Sequence, residues 1–438
     1  MIEKLRKLKK QLTWTYVPET EREASDAVVR NFVLHWFPSK ATSKSLSFLY
    51  TLELGTISIF LFAILLITGV LLMFMYVPSV GQAYWGVKDI EYVVSFGPFI
   101  RGIHRIAASL MVAVVFLHMM RVFLTGAYKK GGKAIGSFRP LNWWIGLTLL
   151  LVTMLLSYTG YLLPWDQLAV WAVTIGMNIA KSAPLIGEKI AFLLRGGTII
   201  DQNTLLRWYV AHVVLLPLFG VILIVWHMWR IRKDGGLGGV ESLAEERIVK
   251  DKIVQKGKTY SLMGIVTGVT PAIISHNVQG DTYFSSPQLT RRILVVFTIS
   301  AVILLGIAFI YKAPLEAPAS MVIPPNPAKA PWYFLWLQEL VADTTIRIGS
   351  FTISGGFVGG ILVPGVLILA AVLWPFLDKS GPEAIGVWFH KNRRLQNTVF
   401  ILTVLVIIAL IFVGSDMRGP YWKLYMPWQT WPKTPTKF

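Results

Sequence analysis

His104 and His118 stand at a 14-residue spacing, and His212 and His227 at a 15-residue spacing, each pair inside a stretch apolar enough to lie in a bilayer. Imidazole is the commonest metal-ligating side chain, and a polar ring in hydrocarbon is costly unless a partner satisfies it. With about 1.5 Å of rise per residue, the members of each pair lie roughly 21 to 22 Å apart along a helix and, four turns on, point to nearly one face. A single such histidine would be an ordinary interhelical hydrogen bond. Four in two matched spacings fit two metal centres stacked across a membrane. The chain contains no cysteine, which excludes disulfides, thiolate-ligated iron–sulfur clusters and thioether links to haem. Any haem is therefore non-covalent.

The elements that must position these rings are read from hydropathy. Hydrophobic residues make up 54% of the chain and charged residues 15%, far from the composition of a soluble domain. Seven stretches reach the roughly 20 residues that a crossing needs, approximately 54–76, 104–126, 143–163, 207–230, 291–311, 352–376 and 397–414. Seven crossings place the termini on opposite sides and make the second and fourth helices parallel. Hence His104 faces His212 near one surface and His118 faces His227 near the other, each pair offering iron two axial imidazoles. Gly55 and Gly69 on the first helix, and Gly146 and Gly160 on the third, repeat the 14-residue spacing. Gly55 and Gly146 fall at the depth of His118 and His227, and Gly69 and Gly160 beside His104 and His212. A missing side chain there lets a flat macrocycle approach the backbone. Arg101 and Arg105, flanking His104, are candidate partners for haem propionates.

The expected fold is an all-α integral membrane protein with seven transmembrane helices. A four-helix bundle holding two haems occupies residues 51–233, and three more helices form a domain over 291–438. A polar connector, 234–290, opens with Gly235, Gly236, Gly238 and Gly239 and resembles a fusion point. Residues 1–50 form an N-terminal segment in which Leu5, Leu8 and Leu12 make the apolar stripe of a basic surface helix, with no cleavable signal expected. Basic residues gather in that segment, in the loop with Lys129, Lys130, Lys133 and Arg139, in the connector, and around Lys379, Lys391, Arg393 and Arg394. This makes one face cytoplasmic, the n side, with the C-terminus on the opposite, p side. A net charge of +19 distributed this way is explained by topology and anionic lipid, and nucleic acid is excluded as a partner. His35, His276 and His390 sit in polar n-side segments and are read as solvated loop residues.

The residues now carry a resemblance. The run RGIHR around His104, followed by His118, TGYLLPWDQ at 159–167, His212 and His227, is similar to cytochrome b of the cytochrome bc and bf complexes. APLEAPASMVIPPNPAKAPWYF at 313–334 resembles the second half of that protein, which some organisms encode as a separate subunit. The 15-residue second spacing is similar to the plastid and cyanobacterial branch, here with both halves on one chain. The resemblance implies a quinol:cytochrome c oxidoreductase subunit with two b-type haems. Quinol would be oxidised at the p side, electrons would cross to an n-side quinone site, and protons would be translocated. It further implies a Rieske iron–sulfur protein and a c-type cytochrome as partners, a homodimeric complex and a bacterial cytoplasmic (inner) membrane. Pro164, Trp165 and Asp166 after the third helix, and Pro331, Trp332 and Tyr333 after the fifth, would form the quinol pocket.

Two departures from the family bear on mechanism. Its Pro-Glu-Trp-Tyr motif reads Ala330-Pro331-Trp332-Tyr333 here, and proline cannot accept the proton that a quinol loses. Asp166, Glu339 and Asp343 are the nearest candidate bases, and the loss is compatible with menaquinone. The cysteine that anchors a covalent haem in the plastid branch is also missing. Glu53 falls near that position, where an acid is favoured by the helix dipole and could pass protons to an n-side quinone. Two competing functions are a dihaem anchor for a hydrogenase or formate dehydrogenase, which has no use for the PWY loop, and a non-enzymatic transporter.

Overall fold

The computed structural model describes residues 40–42, 46–129, 138–234, 246–248, 257–261, 264–268, 273–275, 282–322, 324–349 and 351–431. The surface-helix reading of residues 1–39, together with His35, His276 and most of the connector, lies outside these residues. Seven helices are long and apolar enough to cross a membrane: Leu54–Met73, Gly97–Leu124, Arg139–Leu162, Gln202–Ile231, Leu289–Ile310, Gly355–Leu377 and Lys391–Met417. The second and third begin several residues before the hydropathy pattern does. Each carries a proline in its first turn, Pro98 and Pro140, where the missing N–H is no loss and φ is already helical. Val302, Val366, Leu369, Leu405 and Val406 project outward, exposed, as lipid-facing surfaces do.

Between the crossings the two faces differ. The connections on one side of the bundle carry short helices: Ala83–Tyr92, Gln167–Lys181, Gly187–Arg195 and Trp332–Asp343. This is the loop face. Asp166 starts the second of these helices by accepting from the Ala169 N–H at 2.9 Å, an N-cap legible in the sequence but masked by the length of the connection. On the other, basic face, the short strands Lys40–Thr42 and Thr282–Phe284 pair antiparallel just before the fifth spanning helix.

The three C-terminal spanning helices pack onto the first four. Leu304 and Ala308 of the fifth join Phe60, Leu61, Ile103, Ile106, Ala107 and Met111 in one core. The sixth contains Pro375, which leaves the Ala371 carbonyl without its i+4 donor. Trp143 Nε1 of the third helix donates to that carbonyl at 2.8 Å.

A buried ionic cluster closes the basic face. Asp378 accepts from Tyr128 Oη at 2.6 Å, Lys129 Nζ at 3.0 Å and Arg393 Nε at 3.0 Å. Arg393 also donates to the Phe123 and Leu124 carbonyls at 2.8 and 3.1 Å, capping the second helix. Lys129 and Arg393 were expected to be topological charges facing lipid or water, but both are inside the protein. Burial alone would raise the Asp378 carboxyl. Hydrogen bonds from Ser380, Tyr128 and Lys129 outweigh it and hold the group well below the usual carboxylate range.

Asp378→Asn is expected to lower stability by about 3–5 kcal/mol, because it leaves two buried cations without a countercharge. A folded-state pKa below the unfolded value of about 3.9 makes the contribution complete above that pH and lost as pH falls below it. Thermal unfolding in detergent checks both: the wild-type midpoint should drop below about pH 4, and the variant should start lower and lose less.

Candidate functional site

The second spanning helix is regular over its 28 residues, so His104 and His118 share a face. The fourth is not regular. It is α-helical over Gln202–Val210, widens into a π turn at Ala211–Leu215, and returns to α over Leu216–Lys233. A π turn takes up one residue more than an α turn, so the longer spacing from His212 to His227 covers the depth that the shorter one covers on the partner helix. The rings consequently meet as two pairs. His104 and His212 have centroids 6.3 Å apart, and His118 and His227 6.4 Å apart. Imidazole nitrogens bind first-row metals at about 2.0–2.1 Å, so two rings aimed at one ion from opposite sides stand about 6 Å apart by centroid. Both pairs fit that geometry.

Hydrogen bonding leaves Nε2 free on the His104 and His212 rings. His104 Nδ1 lies 2.9 Å from Thr68 Oγ1, and His212 Nδ1 lies 3.0 Å from the Leu156 carbonyl and 3.2 Å from Thr159 Oγ1. These contacts fix each ring and leave Nε2 for a ligand bond. His118 Nδ1 is buried without a hydrogen-bond partner among the described residues. The four glycines lie where the spacing predicts, but each faces a histidine. A Cβ at Gly55, Gly69 or Gly146 would stand 3.3, 3.4 or 3.5 Å from Cε1 of His118, His104 or His227, and one at Gly160 would overlap His212. The close approach is made by the imidazoles, so the glycines act on the ligand first.

The arginines beside His104 divide. Arg101 pairs with Glu91 at 2.8 Å and donates to the Ala313 and Pro314 carbonyls at 2.9 and 2.5 Å; it is a loop anchor, not a free partner for a propionate. Arg105 lies 5.1 Å over the Tyr161 ring. On the basic face, Glu53 is buried and accepts from Arg292 Nε at 2.6 Å, Thr51 at 2.8 Å and Thr56 at 2.9 Å. It ties the fifth helix to the first and stands at the N-cap of Leu54–Met73, where the helix dipole favours an acid. His390 accepts from the Asn392 N–H at 3.2 Å and caps a short turn.

On the loop face, a cavity of about 380 Å³ separates the third spanning helix from the Gln167–Lys181 helix and the 328–338 segment. Its walls include Leu155, Tyr158, Tyr161, Ile175, Pro331 and Phe334, and no carboxylate lines it among the described residues. Pro331 is at the wall, as expected. Trp332 and Tyr333 are not, because the helix begins at Trp332 and steps of about 100° bring Phe334, Leu337 and Gln338 round instead. Tyr333 is buried behind the wall while Trp332 is exposed.

The candidate bases are committed elsewhere. Asp166 gives one oxygen to the Ala169 N–H and the other to the Glu316 N–H at 3.1 Å. With Gln167, which accepts from Ser320 N and donates its own N–H to the Ala317 carbonyl, it stitches the loop after the third helix to the loop after the fifth. Pro164 and Trp165 lead into that stitch, Trp165 buried with φ of 50°. Glu339 is fully buried against Arg418, with Nε at 2.7 Å, and Arg418 also grips Asp343. Burial pushes the Glu339 carboxyl up against the pull of Arg418. Sequence reasoning missed Tyr158, Tyr161 and Gln338 on the cavity wall. Tyr161 stands inside the quoted TGYLLPWDQ run, while Gln338 had no signal until the helix start was known.

Seven lipid-facing spans around two stacked imidazole pairs define an all-α integral membrane protein built like a membrane cytochrome. The family described as cytochrome b/b6/petB matches residues 37–235. Cytochrome b6 of Mastigocladus laminosus is 42% identical over 182 residues, 42% of this chain and 81% of that protein. Cytochrome b6 of Heliomicrobium gestii is 38% identical over the same length, 42% of this chain and 82% of that one. The chain belongs to the cytochrome b family. A solved structure titled "Hyperthermophilic respiratory Complex III" shares the fold with a TM-score of 0.64 at 22% identity, over 90% of this chain and 88% of that one, so the likeness extends through both halves.

Gly160→Leu should displace His212 and abolish one b-type component of the reduced-minus-oxidised spectrum, leaving the other intact, because a branched side chain there overlaps the ring. Normal amplitude of both components would refute the close-approach argument.

Proposed function

We propose that the chain is the cytochrome b subunit of a quinol:cytochrome c oxidoreductase, oxidising quinol in the loop-face cavity. The observation that carries the reading is that cavity's position: it lies on the third spanning helix, whose Gly160 seats His212 and whose Tyr158 and Tyr161 form the wall. His104 and His212 would hold one b-type haem and His118 and His227 the other, with Arg105 the remaining candidate for a propionate. When bound, these haems supply one-electron transfer between the two faces of the membrane. The chain's own residues do the rest. Thr68, Thr159 and the Leu156 carbonyl orient the imidazoles, and the glycines let the rings seat.

The cavity is of a size that takes a quinol headgroup, and its aromatic and aliphatic walls exclude bulk water. With proline at 331 and no carboxylate on the wall among the described residues, the first proton acceptor is water or a group on a partner protein. A Rieske iron–sulfur protein and a c-type cytochrome are the partners this reading requires. It also takes the loop face as the p side, the membrane as a bacterial cytoplasmic membrane, and the complex as a homodimer with proton translocation. An n-side quinone site would lie near His118 and His227, with Glu53 held in its ion pair as a structural neighbour. Menaquinone remains the substrate suited to a pocket without the family's glutamate.

Two measurements test this. His104→Leu or His212→Leu should remove one spectral component, and His118→Leu or His227→Leu the other; loss of the same component from His104→Leu and His118→Leu would break the pairing. Ala172→Trp, which fills the cavity from its Gln167–Lys181 wall, should slow reduction of the b-type absorption by quinol at least about tenfold with haem content unchanged. Full-rate reduction would place quinol oxidation elsewhere.

A further inference from the structure

The polar groups on the cavity wall are few, and most already have partners. Lys329 presents its stem to the cavity but turns its ammonium away, donating to the Ser415 carbonyl at 2.5 Å and lying 4.6 Å over the Trp431 ring. Tyr158 Oη is pressed against the backbone at Gly176 and reaches the Ala172 and Val173 carbonyls at 3.4 and 3.5 Å. Tyr161 lies beneath Arg105. That contact engages the Tyr161 ring face and not its hydroxyl, and Gln338 adds a carboxamide to the same wall. Its Oε1 accepts from the Ala330 N–H at 2.9 Å, and its Nε2 donates to the Ala328 carbonyl at 2.7 Å. A carboxamide offers two N–H donors and two oxygen lone pairs, so one of each remains unused on a group that lines the cavity.

We propose that Gln338 is the residue that positions quinol and quinone in this cavity, its second lone pair accepting from a quinol hydroxyl and its second N–H donating to a quinone carbonyl. This rests on the cavity being the site of quinol oxidation. An amide is neither acid nor base in the accessible pH range, so Gln338 holds the ring oxygen without taking its proton. Because the same amide clamps Ala328 and Ala330, it also sets the turn that delivers Pro331 to the wall. Pro331 has no N–H and Ala330 N is already bonded to Gln338, so the backbone at Ala328 and Ala330 is held by this one amide while Lys329 anchors the segment to Ser415. The carboxamide, hydrogen-bond donor and acceptor at once, suits both redox forms of the ligand, which a carboxylate would not.

The test uses the intact complex, a short-chain naphthoquinol, and the variants Gln338→Met and Gln338→Glu beside Ala172→Trp. A neutral hydrogen bond is worth about 0.5–1.5 kcal/mol net, so Gln338→Met should raise KM about threefold to tenfold, with kcat falling less than KM rises and both b-type components retained. Gln338→Glu restores an acceptor and should recover part of the KM. In difference infrared spectra with carbonyl-labelled quinone, the lowered C=O frequency of the bound form should be present in the unaltered complex and lost in Gln338→Met. Unchanged KM and carbonyl frequency in Gln338→Met, with Ala172→Trp blocked, would overturn the role of Gln338 while leaving the cavity assignment standing. Full activity in Ala172→Trp would overturn both. Proportional loss of kcat and of b-type absorption in Gln338→Met and Gln338→Glu would make Gln338 a structural clamp alone and contradict the proposal.

Discussion

The register between the second and fourth spanning helices governs the rest of the molecule. Two parallel helices must present imidazoles at equal depth twice, about 21 Å apart, and an error of one residue turns a ring by about 100° away from its partner. The second helix meets this with unbroken α-helix between its histidines. The fourth has one residue more to place, and the π turn at Ala211–Leu215 absorbs the surplus next to His212. The first and third helices supply glycines where the rings approach, so the register is enforced from four sides. Substituting one glycine alters a ligand before it alters the bundle.

The two halves of the chain are joined by groups that a sequence reader assigns to topology or catalysis. Asp166 and Gln167 stitch the loops after the third and fifth helices together, and Glu53 binds Arg292 across the first and fifth. Asp378 gathers Lys129 and Arg393 between the second, sixth and seventh. Asp166, Glu53 and Asp378 are charges buried at these junctions, where leaving them unpaired would be costly. The cavity lies between the elements that the Asp166 stitch and Arg418 hold in place. Its frame is therefore set largely by polar contacts outside it, while its walls are mostly apolar and Gln338 fixes the 328–331 turn from within.

The spanning helices and the pairing of the histidines were legible because hydropathy and the helical period are strong signals over the length of a membrane crossing. The spacing of Gly55, Gly69, Gly146 and Gly160 also gave their depth correctly, but it did not reveal that each glycine faces an imidazole. Hydropathy began the second and third helices late because Arg101 lies near the start of one and Arg139 and Asn142 open the other, although Pro98 and Pro140 marked them. The loop face was the least legible. Trp332 and Tyr333 look like wall residues in a motif, yet a helix starting at Trp332 rotates them away and brings in Gln338. Asp166 looks like a base by proximity, whereas the fold engages both of its oxygens with backbone donors. Such assignments depend on where a helix begins and on partners far along the chain, as Glu316 is for Asp166, which local pattern does not encode.

Two imidazole pairs, stacked in one bundle, would each hold one b-type haem. The most direct measurement is the haem-to-chain ratio of the purified intact complex, combined with a potentiometric titration of its b-type absorption. Two haems per chain titrating as two one-electron components at different potentials is the predicted result. A single haem per chain, or a titration that a single component fits, would contradict the account.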